Sequence, residues 1–211
     1  MRYYTIPTAT GDRRLPSVTT ILNATMPTAK RTNLVKAEAK NPLKYYLKVE
    51  ASRSRGNAVD SYAKCRFLDI PPIRNLDYAR QYRHFDKWLA AEFSGGECWP
   101  DHLVFDLDKG YAGTLDIVAP LRDGLTLIDI KTMAHKAFPE AIDAAMLQCA
   151  AYYGAWSRRS TTPKIDAIAA LFVSPYGLEV HSARGEAIAL LLDLFYRRCK
   201  QFPAAVSAMY S

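Results

Sequence analysis

The sequence predicts one α/β (α+β) domain, in which short strands and long helices follow one another along 211 residues. The clearest signal is a β-hairpin near the middle of the chain, where Asp123-Gly124 separates two short apolar runs. Apolar residues at helical spacing predict helices over 74–93 and 138–156. A continuous apolar run at 165–173 predicts a further strand.

The central hairpin carries two aspartates and a lysine on one face. If Asp123-Gly124 forms the turn, Asp116 faces Lys131 and Val118 faces Asp129. Because side chains alternate along a strand, Asp129 and Lys131 then share a face with Asp116. The opposite face, which we expect to enter a core, carries Leu115, Ile117, Ile128 and Ile130.

Two interpretations account for this polar face. Two Asp side chains on a cross-strand diagonal can close onto one hard cation, which takes oxygen ligands. Alternatively, the face is a solvated surface strand with a salt bridge from Asp116 to Lys131. The salt bridge leaves Asp129 unexplained among apolar neighbours. We therefore favour the metal-site interpretation.

Four motifs in order carry a resemblance to a known group. They are Pro16 to Leu22, Arg55-Gly56 followed by Asp60, Asp116 followed by Asp129-Ile130-Lys131, and Gln148 followed by Tyr152. The set resembles the RecB-like branch of the PD-(D/E)XK nuclease superfamily. It is most similar to the mitochondrial genome maintenance exonuclease and its bacterial and phage relatives, over residues 15–156.

The resemblance implies a fold and an activity. It implies a restriction-endonuclease-like core over 71–211, with a mixed central sheet flanked by helices, and a helical region over 1–70 that contributes to a DNA-binding cleft. The implied activity is a DNA exonuclease that depends on Mg²⁺ or Mn²⁺, prefers single strands or ends, and leaves 5′-phosphates. Replication or recombination proteins are the implied partners, in the cytoplasm of a bacterium or phage-infected cell.

The implied metal ligands are Asp116, Asp129 and the backbone carbonyl of Ile130. Asp60 stands where the relatives have a ligand His, and an oxygen ligand suits magnesium better than imidazole does. Asp60 would equally suit an ion pair with Arg55 or Lys64.

A further acidic candidate precedes the hairpin, in a predicted strand over 97–107. If Lys109-Gly110 is a two-residue turn, Asp101 faces Val118 on the side of Asp116, and a one-residue change in turn length would put His102 there instead. Some RecB-like nucleases hold an iron–sulfur cluster with clustered cysteines. The four cysteines here are far apart, so we expect no cluster.

The resemblance also names residues that handle the substrate. Lys131 would act in catalysis, and Gln148 and Tyr152, four apart on a helix, would support it and touch DNA. The alternative for this pair is a helix rim with two polar tips. Arg55 would suit a phosphate. Ser17 or Thr19 would hold DNA or simply cap a helix.

Charge is distributed unevenly along the chain. Residues 1–70 hold 13 Lys and Arg against 5 Asp and Glu, whereas the remainder is nearly balanced. A one-sided basic region is typical of a polyanion binder, although a solvated surface is equally compatible. Tyr45-Tyr46 lies between Lys44 and Lys48, and aromatic rings between basic residues can stack bases. Because tyrosines more often pack against the rest of the protein, we expect these two to pack. No apolar run is long enough to span a bilayer, and no secretory pattern is present.

Two other functions remain open from the sequence. One is an endonuclease of the same fold, which would need a dimer interface or a target-reading element. The other is a DNA-binding module without catalysis, and the departure at Asp60 is the feature in its favour.

Overall fold

The computed structural model describes residues 1–159 and 161–210. Its helices are α1 (Val18–Ala24), α2 (Thr28–Lys40), α3 (Pro42–Phe67), α4 (Ala79–Glu92), α5 (Pro139–Ser157) and α6 (Glu186–Tyr210), with a short 3₁₀ turn at Leu76–Tyr78. Its strands are β1 (Tyr3–Ile6), β2 (Arg13–Pro16), β3 (Trp99–Pro100), β4 (Leu103–Asp106), β5 (Tyr111–Thr114), β6 (Ile117–Leu121), β7 (Gly124–Thr132), β8 (Ala167–Ser174) and β9 (Gly177–Arg184). No helix in this part of the chain is both long enough and apolar enough to cross a membrane.

A mixed five-stranded sheet forms the centre, in the order β3-β6-β7-β8-β9. Strands β7 and β8 pair in parallel and the other neighbours pair antiparallel. Helix α5 makes the crossover between β7 and β8, as parallel pairing requires. The predicted α/β class, with a mixed sheet flanked by helices, is confirmed.

Both faces of this sheet are buried. One face packs Val118 and Leu127 against α5 and α6, and the other packs Ile117 and Ile128 against α3 and α4. Leu115 belongs with Val118 and not with Ile117. The prediction that grouped it with Ile117 was wrong, because the chain leaves the strand before Ile117.

The turn of the central hairpin begins one residue earlier than predicted. Leu121 pairs with Gly124, so Arg122-Asp123 is the turn, and Gly124 begins β7 with a φ of +120°. Val118 therefore pairs with Leu127 and does not face Asp129. The register shifts by two residues, which preserves the predicted faces of the paired residues of β6 and β7.

The predicted strand over 97–107 is interrupted. Strand β3 ends at Pro100 and β4 begins at Leu103, opposite a matching gap between β5 and β6. The backbone of Asp101 donates to the carbonyl of Asp116 across the gap at 3.0 Å. Asp106 pairs with Tyr111, so a four-residue turn replaces the predicted two-residue one, and Asp101 lies opposite Asp116 rather than Val118.

Helix α3 is one continuous helix of 26 residues. The side chain of Asn41 caps it by accepting from the Lys44 backbone N–H. Its second half packs on the sheet through Val59 and Tyr62. The side chains described in α2 and in the first half of α3 are nearly all exposed, and we refer to this exposed segment as the arm.

Candidate functional site

A buried aspartate stands at the centre of the candidate site. Strand β7 places Asp129 and Lys131 on the face that looks toward α5. Asp129 has no exposed surface, and its Oδ2 lies 2.6 Å from Lys131 Nζ. Its Oδ1 has no hydrogen-bond partner. Burying a carboxylate oxygen without a hydrogen-bond partner costs free energy. The folded chain therefore leaves the hydrogen-bonding capacity of Asp129 partly unsatisfied.

Asp116 approaches the same place from the gap between β5 and β6. Continuing the strand register by one residue puts it opposite Asp129. Its Oδ2 accepts a hydrogen bond of 2.7 Å from the Ile130 backbone N–H. The side chain thereby replaces the backbone acceptor that an unbroken strand would supply. The salt bridge from Asp116 to Lys131, weighed as the alternative, is not among the ion pairs of the described residues.

The electrostatics of the pair follow from burial. Burial raises the pKa of Asp129 to about 6, the Lys131 ammonium opposes the rise, and the Asp116 carboxylate adds to it. Burial alone would lower the pKa of Lys131, but the two carboxylates outweigh it and raise that pKa. About a third of the Lys131 side chain is exposed, whereas the side chain of its partner Asp129 is fully buried.

A second acidic group lies on the other side of Asp116. Lys64 Nζ lies 2.7 Å from Asp60 Oδ2 and 2.5 Å from Asp101 Oδ1. The Oδ1 of Asp60 is buried without a partner. Burial raises the pKa of Asp60, Lys64 opposes this, and Asp116 and Asp101 add to it. Of the two ion pairs considered for Asp60, the structure contains the one with Lys64.

Helix α5 places Gln148 and Tyr152 next to the site formed by Asp116, Asp129 and Lys131. Both are buried, and Gln148 Nε2 donates to the Tyr152 hydroxyl at 2.9 Å. They are therefore not the polar tips of a helix rim. Burial raises the pKa of Tyr152, with a further contribution from Asp129, so its hydroxyl stays protonated.

The ring of Tyr152 is held against a glycine that the sequence did not single out for this role. A Cβ on Gly113 would lie 3.2 Å from Tyr152 Cζ and 3.3 Å from its hydroxyl, and closer still to Cε1. Only glycine admits the ring at this position. The proximity of a strand glycine to a helix tyrosine depends on tertiary packing, which spacing along the chain does not reveal.

A pocket of about 270 Å³ opens beside Lys131. Thr19 and Gln148 line it together with Lys131. Ser17 does not, because its hydroxyl caps α1 by accepting from the Thr20 backbone N–H at 3.0 Å. A larger cavity of about 730 Å³ lies elsewhere, near the end of α3 and the loop after α4.

Of the predicted DNA contacts in the N-terminal region, Ser17 and Thr19 lie at the start of α1 and Arg55 lies on α3. Arg55 is half-buried, with Nε unpartnered and one guanidinium nitrogen 3.4 Å from Ser52 Oγ. Tyr46 is 60% exposed, so the packing prediction was wrong for this ring, and Lys44 and Lys48 beside it are exposed too. An exposed ring between two ammonium groups is typical of surfaces that stack bases.

Residues 1–159 and 161–210 contain no cluster of three or more His, Cys, Asp or Glu side chains arranged to hold a metal ion. The donors that could hold a divalent cation here are therefore few: the carboxylates of Asp116 and Asp129, with the Ile130 carbonyl that the resemblance implies. Magnesium accepts such a set because it keeps several waters. The unpartnered Oδ1 of Asp129, beside Asp116, is the observation that fits a cation.

Comparison with known proteins adds little. No protein-family model and no curated protein matches the chain. A solved structure titled "Crystal structure of SSO0001" aligns with 89% of this chain and 74% of its own, at 12% identity and a TM-score of 0.41. Likeness at this level supports no conclusion about either fold or function.

Proposed function

We propose that the chain is a metal-dependent deoxyribonuclease that hydrolyses phosphodiester bonds in DNA, acting as an exonuclease on single strands or ends. The observation that carries the proposal is Asp129, fully buried with an unpartnered Oδ1, between Asp116 and Lys131. A salt bridge that only stabilises the fold does not require a carboxylate oxygen without a hydrogen-bond partner. A cation site does.

Mg²⁺ or Mn²⁺ would be held by Asp116, Asp129 and the carbonyl of Ile130. When bound, the ion would lower the pKa of a coordinated water and neutralise charge on the phosphate. The Lys131 ammonium would stabilise the charge that develops on the phosphate oxygens. Gln148 lines the same pocket as Lys131, and its bond to the Tyr152 hydroxyl fixes its orientation. Hydrolysis would leave a 5′-phosphate and a 3′-hydroxyl on the products.

The arm supports DNA as the substrate. Its exposed lysines and the ring of Tyr46 provide charge for phosphates and a stacking surface for bases. Asp60, where the resemblance implied a ligand His, is paired with Lys64 and keeps one oxygen free. That pairing also suits a DNA-binding module without catalysis, so the experiment must separate cleavage from binding.

A time course with DNA labelled at either end, with and without Mg²⁺, tests the proposal. We expect metal-dependent release of nucleotides from linear strands and no cleavage of circular single strands. Asp116→Asn and Asp129→Asn should lose cleavage and tight metal binding. Cleavage of circles would identify an endonuclease, and binding without cleavage under any divalent metal would identify a binding module.

A further inference from the structure

Lys64 is an almost enclosed ammonium between two carboxylates. Only 12% of its side chain is exposed, and its Nζ contacts Asp60 and Asp101 at 2.7 and 2.5 Å. Asp60 lies one helical turn before it on α3. Burial alone would lower the pKa of Lys64, but both carboxylates outweigh it, so the group stays charged.

Asp101 reaches Lys64 because of the break between β3 and β4. Its backbone has a φ of +47°, a left-handed conformation that costs about 1 kcal/mol for a side chain other than glycine. Its N–H bonds the carbonyl of Asp116. The break therefore ties the Lys64 group directly to the backbone of a proposed metal ligand.

The Lys64 ammonium lies where a metal ion would contact two carboxylate oxygens, one from Asp60 and one from Asp101. The distance of 2.5 Å lies within the about 2.3–2.6 Å of calcium–oxygen bonds, and the distance of 2.7 Å lies just above it. We infer that Lys64 acts as a fixed cation between Asp60 and Asp101, so that the chain binds one divalent ion at Asp116 and Asp129 and excludes a second. The inference rests on the proposed function.

The charges agree with a single ion. The neighbouring acids are Asp60, Asp101, Asp116 and Asp129, and the neighbouring ammonium groups are Lys64 and Lys131. Four negative charges against two positive charges leave two negative charges, which one divalent ion neutralises. Without Lys64 the same cluster would carry three negative charges and an open position between two carboxylates.

Counting bound Mn²⁺ by isothermal titration calorimetry tests the inference, with electron paramagnetic resonance as a second readout. Wild type should bind one ion. Lys64→Met removes the charge at similar length and should bind two, the second more weakly, whereas Lys64→Arg should bind one. Adding Asp101→Asn to Lys64→Met should abolish the second ion, because one of its ligands is gone.

The outcomes separate the inference from the proposed function. Two ions on the wild type, or one ion on both the wild type and a folded Lys64→Met variant, would overturn the role of Lys64 alone. No ion on the wild type would overturn the proposed function and this inference with it. Circular dichroism melting of each variant establishes that it is folded before ions are counted.

Discussion

Asp106 and Asp129 are both buried aspartates paired with a basic side chain, yet their surroundings differ. Asp106 Oδ1 accepts from the backbone N–H groups of Asp108 and Lys109 at 3.0 and 2.9 Å, and its Oδ2 lies 2.7 Å from Arg158 Nε. Asp129 has one ion pair through Oδ2 and nothing on Oδ1.

The difference separates a structural carboxylate from one that we propose binds a cation. Asp106 holds the turn between β4 and β5, and the chain supplies its partners. The ion pair with Lys131 offsets the cost of burying Asp129 only in part, and burial raises its pKa. Tolerating such a group is expected where function needs it.

The largest expected effect is on catalysis. Lys131→Met should lower the rate of DNA cleavage by about 10²–10³-fold, because it removes a donor that stabilises developing charge. DNA affinity, measured by fluorescence anisotropy, should change little. Lys87→Met, at an exposed position on α4, is the matched control and should cleave at the wild-type rate. Wild-type cleavage by Lys131→Met would contradict the assignment.

The two aspartates should respond oppositely to the same substitution. Asp106→Asn should destabilise the protein by about 1–3 kcal/mol, because the amide places N–H groups against Arg158. Asp129→Asn should leave the metal-free protein as stable as wild type or more so near neutral pH, because it removes a buried charge. Urea unfolding in EDTA measures both. A loss of stability in Asp129→Asn as large as in Asp106→Asn would remove the distinction.

Two glycines near the site provide a comparison of packing. Gly113→Ala should destabilise by about 1–3 kcal/mol and impair cleavage, since its Cβ meets the ring of Tyr152. Gly56→Ala should be neutral or stabilising by up to about 1 kcal/mol, because a Cβ there lies 3.7 Å from Thr132 Oγ1 in a helix interior. Thermal melting compares them, and equal losses would contradict the packing described.

The last expected effect is on the pH dependence of stability, where the change per pH unit is small. The pKa of Asp129 rises from 3.8 to about 6 on folding, so the fold prefers its protonated form. Its contribution to stability is therefore present below about pH 4 and is lost as the pH rises through about 6, at no more than about 1.4 kcal/mol per pH unit. The difference in unfolding free energy between wild type and Asp129→Asn, measured without metal, should follow this course. A difference that does not change with pH would show that folding does not raise the pKa of Asp129.

The faces of the central strands were predictable, although their register was not. Alternation placed Asp116, Asp129 and Lys131 on one side, and the two-residue shift of the turn preserved this. The shift arose because Gly124 uses its positive φ to begin β7 and not to complete the turn. Both choices suit an Asp-Gly pair, so local sequence could not decide between them.

The second acidic group was predictable only in part. The spacing of Asp60 and Lys64 suggested their pair, but the reach of Lys64 to Asp101 depends on a strand break that juxtaposes distant segments. The exposure of Tyr46 likewise follows from where α3 leaves the sheet. Such features depend on tertiary packing, which periodicity along the chain does not encode.

The binding of Mn²⁺ to wild type, Asp129→Asn and Asp106→Asn, followed by titration calorimetry, tests the central claim most directly. The account predicts that wild type and Asp106→Asn bind the ion with similar affinity, and that Asp129→Asn loses tight binding while remaining folded. Equal affinity in Asp129→Asn and wild type would contradict it.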